Sequence, residues 1–167
     1  ILTVLDDITE RRQAEQHIWH LAHNDSLTGL PNRASLLEHL TTTLERATKT
    51  GDRFAVMCLD LDRFKEANDV YGHLVGDGLL REAARRLQKA AESAYLARIG
   101  GDELIVVLQS DTPEAAAKTV GDRMLAAFKD NFEIEGHQLQ VGLSIGVAVF
   151  PADGSDVKAL IANADAA

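Results

Sequence analysis

The run Phe54–Leu61 (FAVMCLDL) constrains this chain more than any other stretch. It is apolar without alternation as far as Asp60, leaving no face for water, and so reads as a strand covered on both sides. Such a strand needs a layer on each face, and helical periodicity is present on both flanks. Upstream, Leu36, Leu37, Leu40 and Leu44 share one face of a helix that follows Pro31-Asn32, runs to about Thr50 and stops at Gly51-Asp52. Downstream, Leu79, Leu80, Ala83 and Leu87 mark a helix from about Val75 to Ala91. Tyr95–Ile99 and Leu104–Leu108 read as a hairpin across Gly100-Gly101. Pro113–Phe128 reads as a helix with its proline in the first turn. Phe132–Glu135 and Gln138–Phe150 read as a second hairpin about Gly136, and Asp156–Ala167 as the start of a last helix. This order predicts an α+β fold, a central mixed and mainly antiparallel sheet wrapped by helices.

Composition narrows the function. Of 167 residues 46% are apolar, enough for a real core and too many for a disordered chain. Lys and Arg number 17 against 26 Asp and Glu, a formal charge of −9 that argues against nucleic-acid binding. A single nucleotide remains admissible if a metal ion intervenes. No stretch is long and apolar enough to cross a bilayer and no basic-then-apolar leader begins the chain, which predicts a cytoplasmic domain without membrane contact. Cys58 is the only cysteine. It excludes a disulfide scaffold and reads as a buried, reduced thiol.

Both ends read as cuts from a longer polypeptide. Ile1–Leu5 is short and apolar, the pattern of a last strand whose partners lie elsewhere. From Glu10 to His23 the composition is helical, with Ala14, Ile18 and Leu21 forming a narrow seam. That seam suits a second helix, or equally the helix's own domain.

Three features carry chemistry. Asp60 and Asp62 leave the same face at the end of the covered strand while Leu61 turns to the core. Two close carboxylates repel, and a hard divalent cation resolves the repulsion; a solvated strand end is the plainer alternative. Gly100-Gly101-Asp102-Glu103 sets two more acids at a hairpin tip, where the glycines let a ligand approach the backbone. Lys65, Asn68, His73 and Asp77 follow the strand among Gly72, Gly76 and Gly78, which thin the side-chain bulk where a flat ring could enter. An amide beside a carboxylate suits guanine, whose edge offers two adjacent N–H donors and a carbonyl acceptor. Taken singly, His73 also fits a structural role and Asp77 a helix start.

In order and spacing, these motifs resemble the GGDEF family of diguanylate cyclases. The residues are Asp25-Ser26-Leu27-Thr28-Gly29-Leu30-Pro31-Asn32-Arg33, Leu59-Asp60-Leu61-Asp62-Arg63-Phe64-Lys65-Glu66-Ala67-Asn68-Asp69, Gly72-His73, Gly76-Asp77, Arg98-Ile99-Gly100-Gly101-Asp102-Glu103-Leu104 and Ser144-Ile145-Gly146-Val147-Ala148. The resemblance covers residues 25–167. The preceding residues 1–24, through Leu5-Asp6-Asp7-Ile8-Thr9-Glu10-Arg11-Arg12, are similar to the exit of a PAS sensor domain into a signalling helix.

The resemblance implies a fold like the adenylyl cyclase core and the ferredoxin-like palm of polymerases. It implies condensation of two GTP molecules into the bacterial second messenger cyclic di-GMP, with release of two pyrophosphates, in a homodimer under an upstream sensor. Asp60 and Asp102 would hold Mg²⁺ (or Mn²⁺) with their side chains and Leu61 with its carbonyl, Glu103 assisting. Asp102 would also serve as base. Lys65 would steady phosphate charge, Asn68 and Asp77 would read guanine, His73 would line that pocket, and Phe64 would pack near the phosphates. The alternative is a silent GTP-binding module controlling an attached domain such as a cyclic di-GMP phosphodiesterase.

Two departures stand out. Leu104 occupies the place of the usual Phe, a modest change in an apolar strand. Ala91 and Ala94 stand where many members carry an Arg-x-x-Asp product site, so feedback through that site is not expected.

Overall fold

A computed structural model describes residues 2–167, with side chains from Asp7 onward. The elements are α1 (Leu2–His23), α2 (Arg33–Thr50), β1 (Phe54–Leu61), α3 (Phe64–Tyr71), α4 (His73–Ala91), β2 (Tyr95–Gly100), β3 (Glu103–Gln109), α5 (Pro113–Ala127), β4 (Phe132–Ile134), β5 (His137–Leu139), β6 (Leu143–Phe150) and α6 (Val157–Ala166).

Four strands form one sheet in the order β2-β3-β1-β6. Counting α3 and α4 as one crossover, this is the β-α-β-β-α-β split arrangement of ferredoxin-like domains. The pairs β1–β3, β1–β6 and β2–β3 are all antiparallel, so the sheet is antiparallel throughout rather than mixed. β1 is buried between its two neighbours, and its side chains alternate between two cores. Ala55, Met57, Leu59 and Leu61 join α4, α5 and the β4–β5 hairpin on one face. Phe54 and Val56, with Cys58 packed against them, join α2 and α6 on the other. The same parity sends Asp60 out toward the α2/α6 side and Leu61 inward.

Two assignments and one burial differ from the sequence reading. Leu2–Leu5 belong to α1 rather than to a strand, and Ile1 lies outside the described residues. Without a partner edge an isolated strand has no ladder to join, whereas a helix satisfies its own backbone. Gln138–Phe150 is not one strand: β5 pairs with β4 in a separate two-stranded sheet, and β6 pairs with β1. The break lies at Gly142, whose carbonyl accepts from the Asp62 N–H at 3.0 Å. Cys58 is half-buried rather than fully buried; its thiol points to the Ile161 carbonyl at 3.7 Å, and burial above all pushes its pKa up to about 11. A thiol so held stays protonated at neutral pH and is a poor nucleophile.

Local signals explain the helix ends. The Asn32 side chain caps α2 by accepting from Ser35 N–H at 3.1 Å, and Gly51 closes it at φ 78°. Asp156 caps α6 by accepting from Ala159 N–H at 2.8 Å. The end of α1 is tied to the start of α2, because the Ala22 carbonyl accepts from Asn32 Nδ2 at 2.8 Å and the His23 carbonyl from Ser35 Oγ at 2.7 Å.

Candidate active site

The acids meet at the open end of β1. In the β1–β3 register Asp60 lies opposite Glu103, and in the β1–β6 register it lies opposite Ser144. Asp102 sits in the two-residue turn between β2 and β3, next to Gly101 at φ 53°. A register shift between Arg98 and Gly100 interrupts the β2–β3 ladder just before this turn, as a bulge does. Asp60 consequently has its carboxyl raised above the usual carboxylate range. Partial desolvation comes first, then the charges of Asp102, Glu103 and Asp62, together with a side-chain hydrogen bond shared with Asp102. The Asp60 carboxyl thus feels the charge of Asp102 across the turn.

The two β1 aspartates differ in setting. Asp62 Oδ1 accepts from Ser144 Oγ at 2.7 Å, and a Cβ on Gly142 would sit 3.1 Å from Asp62 Cγ, so this carboxylate is seated on β6. Asp60 has no such anchor and is open to solvent. The donor chemistry suits a hard cation: neighbouring carboxylates that raise the Asp60 pKa, with no protein cation among the described residues offsetting Asp60. Among the described residues no three acidic, histidine or cysteine side chains are grouped so that they could hold a metal ion. A small divalent ion that binds through one or two carboxylates and keeps its other positions for phosphates and water needs no such group.

Behind the turn, Arg98 holds it in place. Its Nε and Nη2 donate to the Gly101 carbonyl at 3.0 and 2.7 Å, and its Nη1 to Asp25 Oδ1 at 2.8 Å. Asp25 Oδ2 accepts from both the N–H and the hydroxyl of Thr28, at 2.8 and 2.7 Å. Burial of Asp25 opposes its ionisation, but the bonds from Thr28 and Arg98 outweigh it and hold the carboxyl below its ordinary value. The loop from Asp25 to Asn32 thus buttresses the Gly101 end of the turn that carries Asp102.

The remaining expected residues lie on α3 and α4. Lys65 is exposed on the first turn of α3, and Phe64 is half-buried against the core. Asn68 is half-buried near the end of α3, Asp77 half-buried on α4, and His73 exposed at the first position of α4. The glycines among them do not leave an open slot for a ring. Gly76 is filled by Asn68 itself and Gly78 by Ile134 of β4, so only Gly72 faces open space. Ala91 is buried at 3% and Ala94 packs against the same core, so neither could present a polar group to a ligand.

A cleft of about 950 Å³ opens from Asp60 and Glu103 along β6 and α6, with Arg33 and Lys158 on its walls. These two cations were missed in the sequence. Arg33 directly follows the capping Asn32 and Lys158 follows the first residue of α6, helix-start positions that offer a signal only once the helices are known to border the acids.

An antiparallel palm-like sheet with carboxylates at one strand end is the architecture of nucleotide cyclases and polymerases. The sequence profile of the family "Diguanylate cyclase, GGDEF domain" matches residues 22–167, and the chain belongs to that family. It is 48% identical over 171 residues to an uncharacterized signaling protein of Caulobacter vibrioides, covering 99% of this chain and 21% of that protein. It is 37% identical over 177 residues to the bifunctional diguanylate cyclase/cyclic di-GMP phosphodiesterase MucR of Pseudomonas aeruginosa, covering 100% of this chain and 26% of MucR. The structure matches that of a sensory box/GGDEF family protein from Caulobacter crescentus with a TM-score of 0.81 and 45% identity, covering 87% of this chain and 94% of that one. The chain thus spans about a fifth to a quarter of these curated relatives. Among the described residues no helix is long and apolar enough to cross a membrane.

Proposed function

We propose that this domain is a diguanylate cyclase, condensing two GTP molecules into cyclic di-GMP. In each half-reaction the 3′-oxygen of one GTP forms a bond to the α-phosphorus of the other, the α–β phosphoanhydride bond breaks, and pyrophosphate leaves. What supports this reading is the register that sets Glu103 opposite Asp60, with the charge of Asp102 felt from the adjoining turn and no protein cation among the described residues offsetting the Asp60 carboxyl.

Asp60 and Asp102 would hold Mg²⁺ or Mn²⁺ with their carboxylates and Leu61 with its backbone carbonyl, Glu103 assisting a second ion. Bound there, the metal would neutralise triphosphate charge and acidify the attacking hydroxyl. Asp102 accepts the 3′-hydroxyl proton, a role suited to a carboxylate held rigidly in place. Lys65 offsets charge on the phosphates, while Arg33 and Lys158 add positive charge along the cleft. Asp77 accepts from the two N–H donors of guanine, and the Asn68 amide donates to its carbonyl. His73 borders the base, and Phe64 supports the phosphate end.

One domain carries one such site, so turnover requires two copies face to face. The helix α1 exposes Ile18, Trp19 and Leu21 at 66%, 61% and 52%, a surface ready to pair with a second copy. Residues 1–24 we read as the exit of a PAS-type sensor with its signalling helix, and 25–167 as the cyclase domain, in a cytoplasmic protein. A second reading, a silent GTP-binding module regulating an attached phosphodiesterase, draws support from MucR, whose name couples both activities.

Incubating the full-length protein with GTP and Mg²⁺ separates the two. The cyclase reading expects cyclic di-GMP from the parent and at least about 10³-fold less from Asp102→Ala, the loss of a metal-holding base. GTP binding without product from the parent would instead favour the regulator.

A further inference from the structure

We propose that Gly76 is a positioning residue for guanine selection: it seats the amide of Asn68 beside Asp77. The inference rests on the reading of Asn68 and Asp77 given above and goes beyond it, because Gly76 touches no substrate.

Gly76 lies inside α4 and its φ is not positive, so backbone conformation does not call for glycine there. In a helix glycine is disfavoured relative to alanine. What it provides is space. A Cβ at Gly76 would overlap Asn68 Oδ1, lie 2.7 Å from Asn68 Cγ and 3.2 Å from its Nδ2. The Asn68 amide therefore rests on the bare backbone of α4.

Little else orients that amide. Among the described residues its one side-chain hydrogen bond runs from Nδ2 to the Phe64 carbonyl of its own helix at 3.4 Å, a long contact. α3 has only eight residues, none of them fully buried, so it cannot fix Asn68 through deep packing. Its backbone meets α4 through Gly72, whose N–H donates to the Asn68 carbonyl at 2.8 Å and whose own carbonyl accepts from the Gly76 N–H at 3.2 Å. Asp77 follows Gly76 directly. One residue thus sets the spacing between the amide and the carboxylate that together match the edge of guanine. The overlap falls on the far end of a rotatable side chain, so a methyl group at residue 76 swings the amide away without displacing either helix.

The test measures, in the full-length protein with Mg²⁺, the dissociation constant of a GTP analogue with a methylene bridge between its α- and β-phosphates. The variants are Gly76→Ala, Asn68→Ala and the double substitution. Gly76→Ala is expected to weaken binding about tenfold, the order of one lost hydrogen bond, with an equal or higher melting temperature. The double variant is expected to bind no more weakly than Asn68→Ala alone. Unchanged affinity in Gly76→Ala, additive losses in the double variant, or a fall in melting temperature would overturn the proposal, since a purely structural glycine behaves in those ways. A parent that does not bind the analogue would sink the cyclase reading by itself. The NMR signal of the Asn68 side-chain amide, recorded without nucleotide, then still decides the matter for Gly76: the signal should move in Gly76→Ala, and an unmoved signal refutes the seat.

Discussion

Asp25 and Asp60 both border one hairpin tip, one through Arg98 and one opposite Glu103, yet their carboxyls are shifted in opposite directions. Asp25 is supplied with everything a carboxylate needs: two donors from Thr28 and the guanidinium of Arg98. Asp60 is supplied with the reverse, namely three further acids and, among the described residues, no protein cation. An acid that the fold neutralises serves the fold. One that the fold leaves crowded with its own kind costs stability, and such a cost persists where a ligand collects the benefit. The pair also shows a division of labour, because Arg98 links the two by gripping the Gly101 carbonyl beside Asp102.

The sharpest way to break this contrast is to neutralise each acid. Asp60→Asn is expected to lower cyclic di-GMP formation by about 10³-fold or more, the scale on which charged catalytic groups act. Its denaturation midpoint should stay level or rise, because a mutual repulsion has been removed. A large loss of stability in Asp60→Asn would mean that its charge serves the fold after all.

Arg98→Ala should act the other way round. Arg98 and Asp25 are only 12% and 20% exposed at their side chains, so removing the cation strands a partly buried carboxylate. The expected loss is about 2–3 kcal/mol in a urea titration, below the cost of breaking a fully buried pair because both side chains keep some contact with water. Turnover in the folded fraction should fall less than in Asp60→Asn, through a looser Asp102 turn. If Arg98→Ala is as stable as the parent, the buttress is not one.

The acid limb of stability sharpens the comparison further. The Asp25 carboxyl is depressed in the fold, so its contribution is present above the unfolded value near 4 and disappears as pH falls below it. The Asp60 carboxyl is raised, so its repulsion is felt above the unfolded value and relieved as it takes up a proton. Denaturation measured from pH 7 down to pH 3 should therefore lose less stability in Asp25→Asn than in the parent, and more in Asp60→Asn. Equal slopes in the three proteins would remove the electrostatic distinction.

How much of this was readable beforehand follows from the range of each interaction. The unbroken run Phe54–Leu61 announces a doubly covered strand, and strict alternation then sends Asp60 and Leu61 to opposite sides. Both are local facts, and both hold in the structure. The facing of Asp60 by Glu103 belongs to the β1–β3 register, a non-local pairing that the β2–β3 hairpin does not set by itself. The tie between Asp25 and Arg98 spans 73 positions and has no local signature. The split of Gln138–Phe150 into two sheets was hidden because each half alternates acceptably on its own, and only the docking of Gly142 on Asp62 separates them. Gly76 and Gly78 look alike in sequence as openings, but which side chain fills a missing Cβ is decided by packing between elements: Asn68 in one case, Ile134 in the other. Sequence periodicity says where chain surfaces face, not which distant group closes on them.

The mildest test concerns the floor shared by both acids. Leu104 is 2% exposed and lies opposite Leu59 on one side and Arg98 on the other, so it joins the strand of Asp60 to the strand of the buttress. Most of the space around it belongs to the apolar core that also holds Leu59 and Leu61. Leu104→Phe adds volume there without touching either carboxyl, and repacking of a core of this kind costs about 1–3 kcal/mol at most. Turnover is expected to remain within a few-fold of the parent, with the Asp25 and Asp60 pH effects both preserved. If instead this apolar substitution abolished activity while the protein stayed folded, the two acids would not be separate devices on a common support. They would be coupled through the packing beneath them, and the opposite shifts of Asp25 and Asp60 would be one property of the hairpin tip rather than two.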